Sequence, residues 1–122
     1  MPLGLYTFRI MYLIFDTETT GLPKRWDAPL TDADNWPRCI QIAWQLHDAS
    51  GTCINHQDYL IKPEGFTIPF ESEQVHGIST ALAVAEGIPL ETVLEKLAVA
   101  LKQAQYVVGR NINFDRKTMG AE

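Results

Sequence analysis

The sequence has little cysteine and no long uninterrupted apolar segment. Its 122 residues include two cysteines, so it does not belong to the small disulfide-dense proteins. The strongest apolar run, residues 11–15, ends at Asp16 and is far shorter than the roughly 18 residues of a membrane span. An arginine interrupts the N-terminal apolar stretch, and no small-residue cleavage site follows it. These absences predict one soluble, cytoplasmic domain that does not act at a membrane.

Basic residues are also few, since 10 Lys and Arg against 15 Asp and Glu leave a net charge of −5. Such a balance argues against a basic nucleic-acid-binding surface, because phosphates need local positive charge. A site whose carboxylates hold metal ions is the exception, since the cations can bridge protein and phosphate. Five of the ten basic residues lie close in sequence to the acidic motifs described below: Lys24, Arg25, Arg110, Arg116 and Lys117.

The two cysteines are predicted to be free thiols. Residues 48–52 are typical of a turn between two strands, which places Cys53 opposite His47. Cys39 then lies about 26 Å away, at ~3.3 Å per residue. A disulfide requires Cα atoms within about 7 Å, so reducing surroundings are expected.

Hydrophobic patterning predicts an α/β fold with a mixed sheet. The predicted strands are 11–15, 40–47, 53–62 and a short buried one at 106–109. The predicted helices are 71–76, 79–86, one beginning at Pro89 with an apolar stripe, and a last one capped by Asn111. The second and third strands form an antiparallel hairpin, whereas a crossover helix makes the fourth strand parallel to the first. Residues 22–37 form a long loop, and long loops in compact domains are often functional.

Asp16 and Glu18 are the first candidate site residues. They lie two apart at the end of a buried strand, so both carboxylates point to the same side. Adjacent carboxylates repel each other unless a cation lies between them, and their oxygens suit Mg²⁺ or Mn²⁺. The alternative is a pair of surface acids with no ligand.

The residues around and after this pair extend the candidate site. Thr17, Thr19, Thr20 and Gly21 form a turn whose hydroxyl and backbone N–H groups can bind a phosphate or a sugar. Asp115 follows on the last helix and supplies the third carboxylate that a two-metal phosphodiester hydrolase requires.

Three motifs resemble those of the DEDD 3′–5′ exonucleases. They are FDTETTG at 15–21, VHGIS at 75–79 and VGRNINFD at 108–115. They are most similar to proofreading exonucleases of the DNA polymerase III epsilon type. The resemblance implies a ribonuclease H-like fold, with an exonuclease domain over residues 11–122 after an N-terminal extension over residues 1–10.

The resemblance also implies roles for individual residues. Asp16, Glu18 and Asp115 are the expected catalytic ligands of two divalent ions, Mg²⁺ or Mn²⁺, with Asp16 bridging both. The expected substrate-binding residues are Thr17, Thr19, Thr20, Gly21, Leu22, His76 and Asn111. The implied substrate is a single-stranded or frayed DNA 3′ end, cleaved to nucleoside 5′-monophosphates in replication proofreading or repair. The implied partner is a DNA polymerase subunit or a fused polymerase.

Two departures separate the chain from this family pattern. Arg110 stands where a histidine is common, and no His–Asp pair of the third motif follows Asp115. The resemblance therefore predicts a fold incomplete at its C-terminal end, with apolar surface exposed on one face of the sheet and a homodimer as one way to cover it. Loss of a positioned base costs about 10²–10⁴-fold in rate, so a weakly active or inactive metal- and nucleotide-binding fragment is the alternative.

Several narrower alternatives stay open. An RNA-directed relative of the same group fits the motifs equally well. A phosphatase of the haloacid dehalogenase type is strongly disfavoured, because it requires Asp-x-Asp where this chain has Glu18. His76 is either a ligand-binding or a turn residue, and Trp26 and Trp36 either stack on bases or pack against the core.

Overall fold

Four strands and four helices make up the part of the chain that the computed structural model describes, residues 10–122. The elements are β1 Met11–Thr19, β2 Cys39–Asp48, β3 Cys53–Leu60, α1 Phe70–His76, α2 Thr80–Glu86, α3 Leu90–Gln103, β4 Tyr106–Val108 and α4 Ile112–Ala121. Nearly all of the predicted N-terminal extension, residues 1–10, lies outside the described residues. None of the helices in this part of the chain has the length and apolar character needed to cross a bilayer.

The strands form one mixed sheet in the order β3-β2-β1-β4. Strand β1 is antiparallel to β2 and parallel to β4, and β2 is antiparallel to β3. The predicted mixed sheet is therefore confirmed. Strand β1 runs four residues beyond its predicted end at residue 15, because Asp16 to Thr19 continue the pairing with β2. The first acidic motif thus lies on a strand of the sheet.

One face of the sheet carries the hydrophobic core. Phe15 of β1 lies opposite Trp44 of β2, and both are buried together with Leu13. Helix α3 covers this face with Val93 and Leu97, which belong to the same cluster. The alternation of buried and accessible residues along β1 and β2 is the expected pattern of strands buried on one side.

The opposite face is open across β1 and β4 in the described part of the chain. Ile14, Tyr106 and Val108 are 40%, 55% and 44% exposed, and the Tyr106 ring stacks on Tyr12 at 5.3 Å between centroids. The prediction that β4 is buried is wrong, because among residues 10–122 β4 pairs only with β1 and lies at the edge of the sheet. Exposed apolar surface on one face of the sheet agrees with the expectation from sequence.

The long loop between β1 and β2 is held by its own side chains. The Asn35 amide accepts from the backbone N–H of Arg25 at 2.6 Å and donates to the carbonyl of Arg25 at 2.9 Å. Trp36 is buried, and its indole N–H donates to the carbonyl of Pro29. Trp36 therefore packs inside the fold, and the interpretation that it stacks on bases is wrong.

The cysteine prediction is confirmed. Cys53 pairs with His47 across the β2–β3 hairpin, as expected. Both thiols are free, Cys39 in the core and Cys53 exposed.

Candidate active site

Asp16 and Glu18 lie on the open face of β1. They alternate with Phe15 and Thr17, which are buried on the covered face. A strand turns successive side chains to opposite faces, so the two carboxylates share one side of the sheet as predicted. Asp16 is exposed, whereas Glu18 is half-buried.

Asp115 approaches the same strand from the covered side. It lies in the first turn of α4 and is only 2% exposed. The Thr17 hydroxyl donates to Asp115 Oδ1 at 2.6 Å, and Asp115 Oδ2 is buried without a hydrogen-bond partner. A buried acceptor without a partner costs about 1–3 kcal/mol, so this oxygen is poised for a ligand.

Gly109 lets α4 come this close to β1. A Cβ atom at this position would lie 3.1 Å from the carbonyl oxygen of Phe15 and 3.5 Å from Asp115 Oδ2. The same atom would lie 3.0 Å from the end of the Ile112 side chain. Any larger residue would therefore push the start of α4, and with it Asp115, away from the strand.

Burial, a neighbouring charge, and the hydroxyl and backbone N–H of Thr17 act on the pKa of the Asp115 carboxyl. Burial raises its pKa most, and the negative charge of Asp16 raises it further. The hydrogen bond from Thr17 lowers the pKa but does not reverse the shift. Because the charge of Asp16 raises the Asp115 pKa, the two carboxylates are close enough for their charges to interact.

The donor set suits a hard divalent cation, because carboxylate oxygens are its preferred ligands. A nearby positive charge would offset the repulsion from Asp16 and would give Asp115 Oδ2 a partner. Among residues 10–122, however, no three acidic, histidine or cysteine side chains are gathered as a metal-binding cluster. Asp115 bonds to Thr17, which is buried on the covered face of β1, whereas Asp16 and Glu18 alternate with it along the strand. The assignment of these three residues as metal ligands stays a prediction.

A groove of about 280 Å³ is lined by Glu18, whereas Asp16 and Asp115 are not among its lining residues. Three segments distant in sequence form its walls: the end of β1 with the turn after it, helix α1 and the start of α4. The lining residues are Thr17, Glu18, Thr19, Gly21, Leu22, Ser72, Val75, His76 and Phe114. Five of the seven predicted substrate-binding residues thus lie together.

Thr20 and Asn111, the other two, do not line the groove. The Thr20 hydroxyl accepts from the backbone N–H of Arg38, and its carbonyl accepts from the Ser72 hydroxyl at 2.5 Å. Asn111 is exposed and precedes α4, but its side chain makes no capping hydrogen bond. Asn111 is the N-cap residue of α4, as predicted, but its backbone carbonyl and not its side chain accepts from the first turn of the helix.

Sequence reasoning missed Ser72, Val75 and Phe114. Val75 and Phe114 belong to the VHGIS and VGRNINFD motifs, so a signal was present in the resemblance. Ser72 carried no such signal, because its role depends on where α1 meets the turn after β1. Its buried hydroxyl ties these two walls of the groove together.

The two interpretations of His76 apply to different atoms of one ring. Its Nδ1 accepts from the backbone N–H of Ile78 at 3.0 Å, which makes it a turn residue. A nitrogen that accepts carries no proton, so the ring proton is on Nε2. Nε2 is buried and has no hydrogen-bond partner, and the residue borders the groove. Gly77 follows in the left-handed conformation with φ of 75° and ends α1 directly after His76.

The basic residues near the motifs do not line this groove. Arg25 forms an exposed ion pair with Asp27 at 3.2 Å, and Lys117 donates to the carbonyl of Trp26 at 2.9 Å. Arg116 borders a separate apolar cavity between α3 and α4. The groove therefore combines apolar walls with one acidic end.

This sheet, with carboxylates at the end of its central strand, defines the class: the fold is the ribonuclease H-like α/β fold of exonucleases. The model of the Exonuclease family (RNase_T) matches residues 13–122, so the chain belongs to this family. No match to the chain is found among curated proteins.

Solved structures of exonuclease I share the fold. Escherichia coli exonuclease I in complex with a dT13 oligonucleotide has a TM-score of 0.72 and 18% sequence identity, over 90% of this chain and 22% of that chain. Exonuclease I from Methylocaldum szegediense has a TM-score of 0.72 and 21% identity, over 89% of this chain and 22% of that chain. The chain thus spans less than a quarter of the length of these proteins.

Proposed function

We propose that the chain is a metal-dependent 3′–5′ exonuclease module that acts on DNA 3′ ends and releases nucleoside 5′-monophosphates. The observation that carries the proposal is the groove, in which the FDTETTG turn, the VHGIS helix and the VGRNINFD helix meet beside Glu18. Its volume is close to the lower end of the roughly 300–1,000 Å³ of ligand pockets, a size suited to one nucleotide.

The walls of the groove match the parts of a nucleotide. Leu22, Val75 and Phe114 present apolar surface to a base and its sugar, and a base gains about 1–3 kcal/mol from stacking on an aromatic ring. The Nε2–H of His76 can donate to an acceptor on the base or sugar. Thr19 is held by reciprocal bonds with Gly21, so its backbone is fixed where the sugar would enter. The 3′ polarity follows the motif resemblance.

Asp16, Glu18 and Asp115 would hold the two divalent ions, Mg²⁺ or Mn²⁺. The exonuclease neighbours and the oxygen-only donor set support this assignment. When bound, such ions activate water and stabilise the leaving 3′ oxygen. Thr17 would orient Asp115 by the hydrogen bond to its Oδ1, leaving Oδ2 for the ion.

A second candidate is a fragment that binds metal and nucleotide with little turnover. The absence of a three-residue metal-binding cluster within residues 10–122 favours it. In this case the groove still receives a nucleotide, but the scissile phosphodiester meets an incomplete set of ligands.

The test is nuclease activity of the 122-residue chain on DNA with a 3′ single-stranded overhang, in Mg²⁺ or Mn²⁺. The variant Asp16→Asn removes one carboxylate, and Asp58→Asn is its matched control. Residue 58 pairs with Ala43, which pairs with Asp16, so both variants change the same face of the sheet.

Turnover lost only in Asp16→Asn supports the exonuclease. Metal-dependent nucleotide binding without turnover supports the second candidate. If the chain shows no turnover and no nucleotide binding in Mg²⁺ or in Mn²⁺, both candidate functions are refuted. An RNA strand of the same sequence tests the RNA-directed relative.

We also propose, from the motif resemblance, a domain over residues 11–122 that works in replication proofreading or repair with a DNA polymerase subunit. The open apolar face supports a homodimer as the state of the isolated chain. Gel filtration of the wild-type chain and of Ile14→Asp tests the dimer. The variant places a charge on that face and should elute as a monomer. A wild-type chain that elutes as a monomer excludes the dimer.

A further inference from the structure

We propose that Trp26 is a positioning residue that holds the Phe114 ring as the base-facing wall of the groove. The inference rests on the proposed function, because it assumes that a nucleotide enters the groove. It assigns a role to the long loop between β1 and β2, which supplies Leu22 to the groove lining and packs Trp26 against Phe114, another lining residue.

The contact between the two rings is direct. Their centroids lie 5.7 Å apart with the planes at 60°, the edge-to-face arrangement that aromatic rings prefer. Phe114 is half-buried and borders the groove, while Trp26 is 45% exposed. Trp26 is not among the lining residues of the groove. It therefore acts on a ligand through Phe114.

Both ends of this contact are anchored. The backbone of Arg25, next to Trp26, is bonded on both sides by the Asn35 amide. The carbonyl of Trp26 accepts from Lys117 Nζ at 2.9 Å, which joins the loop to α4 three residues after Phe114. The indole is thus presented to Phe114 by an ordered segment that is bonded to the same helix.

A stacking surface binds well when its ring is already oriented, because a free rotamer must be ordered on binding. Without the indole, the Phe114 ring loses this edge-to-face contact. Ordering one free side chain on binding costs a factor of about 3 to 10 in affinity. We therefore expect Trp26→Ala to raise the Kd for a nucleotide by about 3- to 10-fold.

The experiment is calorimetric titration of the full chain with thymidine 5′-monophosphate in Mg²⁺. Phe114→Ala should weaken binding at least as much as Trp26→Ala, and the double variant should bind no more weakly than Phe114→Ala alone. Trp26→Phe should restore most of the affinity, since it keeps an aromatic edge. The matched control is Leu30→Ala, which loosens the same loop where Leu30 lies against Gly120 of α4; its Kd should equal that of the wild type.

The outcomes separate the two claims. If the wild-type chain does not bind the nucleotide, the proposed function and this inference both fail. If it binds and Trp26→Ala leaves the Kd unchanged, only the positioning role fails. Additive losses in the double variant would mean that Trp26 touches the nucleotide itself, and an equal loss in Leu30→Ala would mean general loosening of the loop. Either result overturns the inference.

Discussion

The hydrogen bond from Thr17 to Asp115 joins the central strand to the last helix and can be removed with one substitution. Thr17→Val keeps the branched shape of the side chain and deletes the hydroxyl. The bond is 2.6 Å long and links residues 98 positions apart, both buried. Once it is lost, the Asp115 carboxylate has no side-chain hydrogen bond within residues 10–122, because Oδ2 has no partner there.

The expected cost is about 2 kcal/mol in the free energy of unfolding at neutral pH without metal. Hydrogen bonds to charged groups contribute roughly 1.5–3 kcal/mol, and water cannot replace the donor at a buried site. The cost should depend on pH. The Asp115 pKa is raised in the folded protein, so the folded state binds the carboxyl proton more tightly than the unfolded state does. Unfolding therefore becomes easier as the pH rises from the unfolded-state pKa of Asp115 to its folded-state pKa.

Thr17→Val should raise the folded-state pKa of Asp115 further, because the lost hydroxyl is the larger of the two influences of Thr17 that lower it. The destabilisation should therefore be largest above the folded-state pKa and fall to about 1 kcal/mol, the contribution of a neutral hydrogen bond, once the carboxyl is protonated. Urea unfolding in EDTA, followed by tryptophan fluorescence at several pH values, measures both quantities.

Thr118→Val is the matched control for this substitution. Thr118 is also buried on α4, but its hydroxyl has no hydrogen-bond partner. Its replacement should leave the protein as stable as before or slightly more stable. Equal losses in the two variants, or a loss in Thr17→Val that does not change with pH, would refute the reasoning.

Three further predictions concern other parts of the chain. Gly109→Ala should lower the free energy of unfolding by about 1–3 kcal/mol, because the added Cβ meets a β1 carbonyl at 3.1 Å; an unchanged urea midpoint would contradict this. Native protein should react with a thiol reagent at Cys53 only, since burial raises the pKa of the Cys39 thiol; two fast-reacting thiols would exclude the buried site. Ser50→Ala should raise the pKa of Asp48 toward its usual value, because the Ser50 hydroxyl donates to that carboxylate and lowers its pKa; an NMR titration that gives the same pKa in both proteins would refute the role of the hydroxyl.

Much of the fold could be predicted from local pattern. The alternation of apolar and polar residues in β2 and the helical stripe of α3 each report burial on one side, and both elements form as expected. The burial of β4 could not be predicted in this way. Its residues are apolar, but whether they are covered depends on which elements pack over the sheet.

The candidate site, too, could be predicted from the sequence only in part. The motifs predicted which carboxylates and threonines to examine, because these residues are adjacent in sequence or share one strand. They could not predict that Asp115 bonds to Thr17 on the covered side, or that Trp36 is buried while Trp26 packs on Phe114. Each of these contacts joins segments far apart in the chain.

The sequence by itself determined the mixed sheet, the acidic pair on its central strand and the membership of the Exonuclease family. These depend on short-range periodicity and on the spacing of a few residues, which a linear chain displays directly. Only the tertiary structure decided that the turn after β1, helix α1 and helix α4 enclose one groove, and that Asp115 keeps one oxygen without a partner. The reason is that burial and hydrogen-bond partners depend on how separate elements pack, which local spacing does not record.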